Sequence, residues 1–120
     1  SEHTVGGVQH DLCVHCVHTR DAVPQDGRTH AVLGRFYTTA SGTASENAFL
    51  ANFIDELPGA PGYGESYTYS AHAGPAVLSE MMSGADMTHY WAYDGSLTTP
   101  GCAEIVQWRF LMDVGTVSSY

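Results

Sequence analysis

The chain has 120 residues, 43% hydrophobic and 14% charged, enough length and apolar content to bury the core of one folded domain and to exclude a disordered chain. Thirteen acids oppose four arginines and no lysine, a formal charge of -9 that repels polyphosphate and anionic membrane surfaces, so nucleic acid is not expected as a partner. No apolar run reaches the roughly 20 residues that span a bilayer, and the first residues carry no secretory signal pattern, so any targeting peptide is expected outside this segment.

In chain order, side-chain alternation predicts a first strand over residues 12–18 and a second over 30–38, each bounded by Gly, Pro or acidic turn residues. Thr43-Ala44-Ser45-Glu46 forms a capping box, and the stripe Phe49, Leu50, Phe53, Ile54 and Leu57 behind it predicts an amphipathic helix that ends at Pro58. Residues 59–70, rich in Gly, Pro, Ser and Tyr, read as an irregular loop, and residues 75–84 can hold one or two helical turns closed by Gly84. Alternation returns over 104–112 for a third strand. The expected fold class is mainly β with short helices, without an internal repeat or a domain linker.

Two groups of residues carry chemistry. The run Cys13-Val14-His15-Cys16-Val17-His18 is dense in metal donors. Its strand periodicity sends Cys13, His15 and Val17 to one face and Val14, Cys16 and His18 to the other, which argues against a self-contained metal box on this strand, because a tetrahedral cage needs converging donors. The second group is Tyr93-Asp94-Gly95-Ser96-Leu97-Thr98-Thr99-Pro100-Gly101-Cys102-Ala103-Glu104, leading into Val106 and Trp108.

That second run closely resembles the active-site signature of the α-class carbonic anhydrases. Ser1-Glu2-His3-Thr4-Val5 with Val14-His15-Cys16-Val17-His18 resembles the strand pair that supplies the family's third zinc histidine, and Asp26-Gly27 with Ala31-Val32-Leu33-Gly34-Arg35-Phe36 resembles a further family strand. The likeness weakens over residues 38–88. It implies part of the family's central twisted β-sheet, and zinc-dependent hydration of carbon dioxide to bicarbonate. The resemblance also implies that residues 1–120 are the central portion of an incomplete domain. The family's His-x-His zinc pair lies upstream of this segment, and a further strand with a Trp-Arg-Pro-like segment lies downstream, so the remainder of the domain or a companion chain is expected as a partner.

Carried over residue by residue, the resemblance makes His15 a ligand of Zn2+ and pairs Thr98 with Glu2. With its one proton donated to the Glu2 carboxylate, the Thr98 oxygen can only accept from the attacking hydroxide, which orients it. Val17, Val32, Leu97, Val106 and Trp108 match the dry wall beside an apolar substrate, Thr99 a polar contact to bicarbonate, Tyr93 a tyrosine near the threonine, and Trp91 a structural aromatic. Cys13 stands where the family has a glutamate that hydrogen-bonds the third zinc histidine, and a thiol is a far weaker acceptor. Gly101 replaces a common proline. The proton-shuttle histidine lies upstream in the family, and none of His10, His30, His72 or His89 takes that role here. Three cysteines is an odd count, and Cys102 matches a cysteine that many secreted members bond to one near their amino terminus, which points to an oxidising compartment: secreted, extracellular, or a thylakoid or secretory lumen. The alternative at Cys102 is a buried thiol. Two other functional readings stay open: a catalytically inactive structural or assembly subunit on the same fold, and a Cys/His redox or metal-buffering module resting on residues 13–18.

Overall fold

A computed structural model of the chain describes residues 2–22, 24–40, 47–51 and 78–118. These fall into two compact units, one made of Ser1–Thr39 with Ala85–Thr116 and the other of Ala40–Gly84 with Val117–Tyr120.

The first unit is β-structure. Strands β1 (Thr4–Val5) and β2 (Val8–Gln9) form a small antiparallel ribbon. The turn between them places Gly6 at φ 57 and Gly7 at φ 82, the left-handed pair that a two-residue hairpin turn requires. Thr4–Val5 thus pairs with Val8–Gln9, not with residues 14–18 as the strand-pair reading would have it. Strand β3 (Leu12–Thr19) pairs antiparallel with β4 (His30–Ala40), from Leu12 opposite Tyr37 to Thr19 opposite His30. Strand β6 (Val106–Leu111) runs parallel to β4, and β5 (Tyr90–Gly95) antiparallel to β6. The order is β3-β4-β6-β5, with β7 (Gly115–Ser118) pairing β4 off that path.

Register sorts the side chains into rows across one sheet face. Val17, Val32, Trp108 and Tyr93 form one row; His15, Gly34, Phe110 and Trp91 form the next; Cys13 and Phe36 begin a third. Val32, Phe36, Val106, Trp108 and Phe110 are buried together as the core, with Val5, Cys13, Trp91 and Leu97 packed against it. Phe110 occupies the space above Gly34, where a Cβ would lie 2.3 Å from the ring. On the opposite face Tyr37 and Leu111 are buried, and the buried Arg35 pairs with Asp113 at 3.6 Å.

In the second unit, α1 (Ala48–Ala51) and α2 (Leu78–Met81) pack against each other. Asn47 Oδ1 accepts the Leu50 N–H at 3.2 Å and so caps α1. Phe49, Leu50 and Met81 are buried, and Gly84 closes the turn after α2 at φ 70. The capping box at 43–46, the stripe residues Phe53, Ile54 and Leu57, the stop at Pro58, and the loop at 59–70 lie outside the described residues. The mainly β expectation holds: the strands over 12–18 and 30–38 extend one and two residues further, and the third begins at Val106, not Glu104. No helix of the described residues is long and apolar enough to cross a membrane.

Candidate functional site

The sheet face just described carries a cluster of polar rings on an aromatic floor. His15 projects from the middle of β3, held there by the antiparallel ladder to β4, and its ring meets Trp108 edge-on at 4.9 Å between centroids and Phe110 at 5.6 Å. A residue two places along a strand returns to the same face, so Cys13 stands beside it. His3, just before β1, lies across the same floor: its ring centroid is 4.4 Å from Phe110, 4.7 Å from Trp108 and 5.0 Å from His15. The Tyr93 hydroxyl holds His3 Nε2 at 2.6 Å.

Three donor atoms, one each from His3, Cys13 and His15, lie within 4.8 Å of one another. Burial lowers the pKa of His15, partly offset by Glu2, whose carboxylate is 3.9 Å from His15 Nδ1. Burial also lowers the pKa of His3, reinforced by repulsion from His15 and opposed by Glu2. Both imidazoles are therefore neutral at pH 7, the form that donates a lone pair to a metal. Burial raises the pKa of the Tyr93 phenol, which keeps its proton. His15 Nε2 is buried and has no hydrogen-bond partner among the described residues.

The loop between β5 and β6 carries the signature residues. It is tied down by the Trp108 indole N–H donating to Ser96 O at 3.1 Å, by Leu97 N–H to Ala103 O at 3.0 Å, and by Cys102 N–H to Thr99 O at 3.0 Å. Gly101 sits at φ 103 and Cys102 at φ 40. Proline, fixed near -65°, cannot take the Gly101 conformation, so this turn is built differently from one with proline there.

The structure gathers much of the expected site. Val17, Val32, Trp108 and Tyr93 are lateral neighbours, His15 and Cys13 occupy the adjoining rows, and Val106 and Leu97 pack into the same cluster. Val17, on the outermost strand β3 among the described residues, is exposed. Thr98 and Thr99 are exposed in the loop, and among the described residues no hydrogen bond joins Thr98 to Glu2, whose carboxylate faces His15. No disulfide joins Cys13, Cys16 and Cys102, and Cys102 is exposed, not a buried thiol. The sequence reading assigned His3 no role. Its hydrogen bond to Tyr93 joins residues 90 positions apart, a separation at which no local pattern signals.

Residues 1–120 match, over their whole length, the family model described as eukaryotic-type carbonic anhydrase. The chain belongs to this family. It is 34% identical to carbonic anhydrase 6 of Homo sapiens over 94% of this chain and 36% of that protein. It is 30% identical to alpha carbonic anhydrase 3 of Arabidopsis thaliana over 98% of this chain and 38% of that one. Among solved structures, the alpha-carbonic anhydrase of Thermovibrio ammonificans in complex with the inhibitor sulfanilamide superposes with a TM-score of 0.74 at 28% identity, over 98% of this chain and 45% of its own. Carbonic anhydrase Cah3 from Chlamydomonas reinhardtii in complex with acetazolamide gives a TM-score of 0.74 at 26% identity, over 98% of this chain and 46% of that one. The chain thus spans a little over a third of these curated relatives and just under half of these solved carbonic anhydrases.

Zinc catalysis in a site of this kind needs three protein donors and one open position. His15 fits as one of them: its imidazole is neutral and half-buried, with one ring nitrogen lacking a protein partner. The His-x-His pair that the resemblance expects to join it is not present in residues 1–120.

Proposed function

We propose that the protein containing this chain catalyses the zinc-dependent reversible hydration of carbon dioxide to bicarbonate, with residues 1–120 as the central portion of its domain. The observation that carries this reading is His15, neutral and half-buried against Trp108, with Val32 and Val106 on the same apolar face beside the Leu97-Thr98 loop, in a chain of the carbonic anhydrase family. His15 would hold the metal together with two donors from the remainder of the domain or from a companion chain. When bound, zinc supplies a nucleophile at neutral pH by lowering the pKa of water to about 7.

The chain's own residues do the rest. Val17, Val32, Leu97, Val106 and Trp108 form the apolar wall against which an uncharged, linear substrate displaces poorly held water. Thr98, its proton donated to Glu2, orients the attacking group by accepting from it. This requires the exposed Glu2 carboxylate to turn from His15 Nδ1 to the Thr98 hydroxyl. Thr99 offers bicarbonate a second polar contact. The Tyr93–His3 hydrogen bond braces the floor beneath His15. We further place the protein in an oxidising compartment, outside the cell or in a secretory or thylakoid lumen, with the exposed Cys102 bonded to a cysteine outside residues 1–120.

The test is carbon dioxide hydration by the full-length protein, with metal content measured in parallel. The proposal expects stoichiometric zinc and activity in the parent, loss of both in His15→Ala, and loss of most turnover with zinc retained in Thr98→Ala. A full-length protein that folds and, with zinc in excess, hydrates nothing would overturn it in favour of an inactive assembly subunit.

A further inference from the structure

We propose that His3, Cys13 and His15 form a thiolate-containing metal site of their own, with Zn2+ as the ion and solvent in the fourth position. The donor set differs from the catalytic one proposed above: it shares His15 and adds Cys13 and His3, neither of which that reading uses as a ligand. It does not rest on the hydration reading.

Four observations converge. The donor atoms of the three residues lie within 4.8 Å of one another, close enough for one ion to draw them in, since Zn–S and Zn–N bonds of about 2.3 and 2.0 Å place ligand atoms roughly 3.5 Å apart around a tetrahedral ion. The donors come from two separate segments, β3 and the stretch before β1, so they approach from different directions; this removes the geometric objection to a box built on one strand. His15 presents a buried nitrogen, Nε2, that no described residue satisfies, while Glu2 stands at its other nitrogen. His3 is held through Nε2 by Tyr93, so the tautomer that donates Nε2–H to the phenol oxygen leaves Nδ1 with a lone pair. A ligand histidine whose second N–H goes to an oxygen partner is the usual outer support of a metal site; Tyr93 occupies that position for His3, and the Glu2 carboxylate lies 3.9 Å from the second nitrogen of His15.

The donor chemistry selects the ion. A thiolate with two imidazoles suits Zn2+ and Co2+ and disfavours Mg2+ and Ca2+, which take oxygen ligands. On binding, the S–H bond of Cys13 breaks, its proton goes to solvent, and the sulfur lone pair forms the bond to the metal, with no change of oxidation state.

The experiment loads the metal-stripped full-length protein with Co2+ and records its near-ultraviolet spectrum. The expected result is a thiolate-to-cobalt charge-transfer band that saturates with the ion, disappears in Cys13→Ser, is lost or strongly weakened in His3→Ala, and persists in His18→Ala, whose side chain is on the opposite face. In the unmutated protein, Zn2+ should also protect Cys13 from alkylation, mapped by mass spectrometry, and chelation should restore its reactivity; this arm needs no variant to fold. A Co2+-loaded protein without the band, or with a band that survives Cys13→Ser, would overturn the proposal, as would Cys13 alkylation that ignores Zn2+. Hydration activity without the band overturns this site and leaves the catalytic reading intact. The band without hydration does the reverse.

Discussion

Replacing Gly34 by alanine tests whether the floor of the site is as tightly built as its geometry implies. The added Cβ would lie 2.3, 2.4 and 2.7 Å from three carbons of the Phe110 ring, whereas carbon atoms rest at about 3.5–4.0 Å, so the ring must retreat by roughly 1 Å. Its retreat is hemmed in: Phe110 is 2% exposed, stacked on Phe36 at 4.8 Å and on Trp108 at 5.6 Å, with His3 at 4.4 Å. Overpacking of a filled core typically costs about 1–3 kcal/mol, and here we expect the upper half of that range. Phe110→Leu shortens the obstructing side chain at a cost of roughly 1–2 kcal/mol, below the 3–5 of full truncation to alanine. In that background Gly34→Ala should become cheaper by at least about 1 kcal/mol, a coupling within the range of residues in direct contact. The assay is denaturant unfolding of the full-length protein and the three variants, analysed as a double-mutant cycle. A Gly34→Ala change within about 0.5 kcal/mol of the parent, or a cycle without coupling, would refute the close approach of β4 to Phe110.

Restoring a carboxylate with Cys13→Glu should tighten zinc at a His15-based catalytic centre by 10 to 100-fold, about 1.4–2.8 kcal/mol, in a chelator competition titration, because it supplies the missing acceptor; equal or weaker binding would show a pocket adapted to the thiol. Asp11, which accepts from the Thr39 N–H and from the Thr38 and Thr39 hydroxyls, has its pKa lowered from 3.8, chiefly by the Thr39 backbone bond, so its contribution to stability is full above pH 3.8 and is lost as pH falls through the lower folded value. Asp11→Asn should therefore lower the melting temperature at pH 6, with the gap to the parent closing as thermal scans move below pH 3.8; a gap constant with pH would exclude the charge as its cause. Gly101→Ala, at φ 103, should strain the signature loop by about 1–3 kcal/mol and lower hydration turnover more than zinc content, read from melting curves and activity at saturating zinc.

How much of this was legible in the sequence follows from the range over which each feature is determined. Strands β3, β4 and β6 fall where the sequence places strands, at 12–18, 30–38 and 104–112, yet only β6 alternates in burial, because β3 is half-buried up to Cys16 and β4 is buried on both faces from Gly34 to Tyr37. Strand β5 gives no such signal: of Tyr90 to Gly95, only Trp91 and Gly95 are even half-buried, and the alternation fades where one face meets water. The β1–β2 ribbon is two residues on each side, too short for any period, and only its Gly6-Gly7 turn could have marked it. The resemblance supplied His15, Glu2 and the Thr98 loop by position, but it carried no information on where Glu2 points. In the structure its carboxylate faces His15 Nδ1, because the residues before β1 cross the same floor that His3 occupies.

The departure at Cys13 gains its meaning from that crossing. By sequence it reads as a loss, a thiol where an acceptor should steady a zinc histidine, and the His15 Nε2 that no described residue satisfies is the physical form of that loss. A buried nitrogen without a partner costs about 1–3 kcal/mol, so the substitution alone leaves the fold carrying a defect at its most polar point. The defect is relieved if something else satisfies that nitrogen, and donor atoms of Cys13 and of His3, whose ring Tyr93 hydrogen-bonds, lie within 4.8 Å of one on His15. An ion shared among the three satisfies the orphaned nitrogen, neutralises the thiolate and fixes the entry segment to β3 in one step. The same three side chains that weaken the case for an undisturbed catalytic histidine are thus the ones that define a second site, and measuring cobalt charge transfer against hydration activity separates the two.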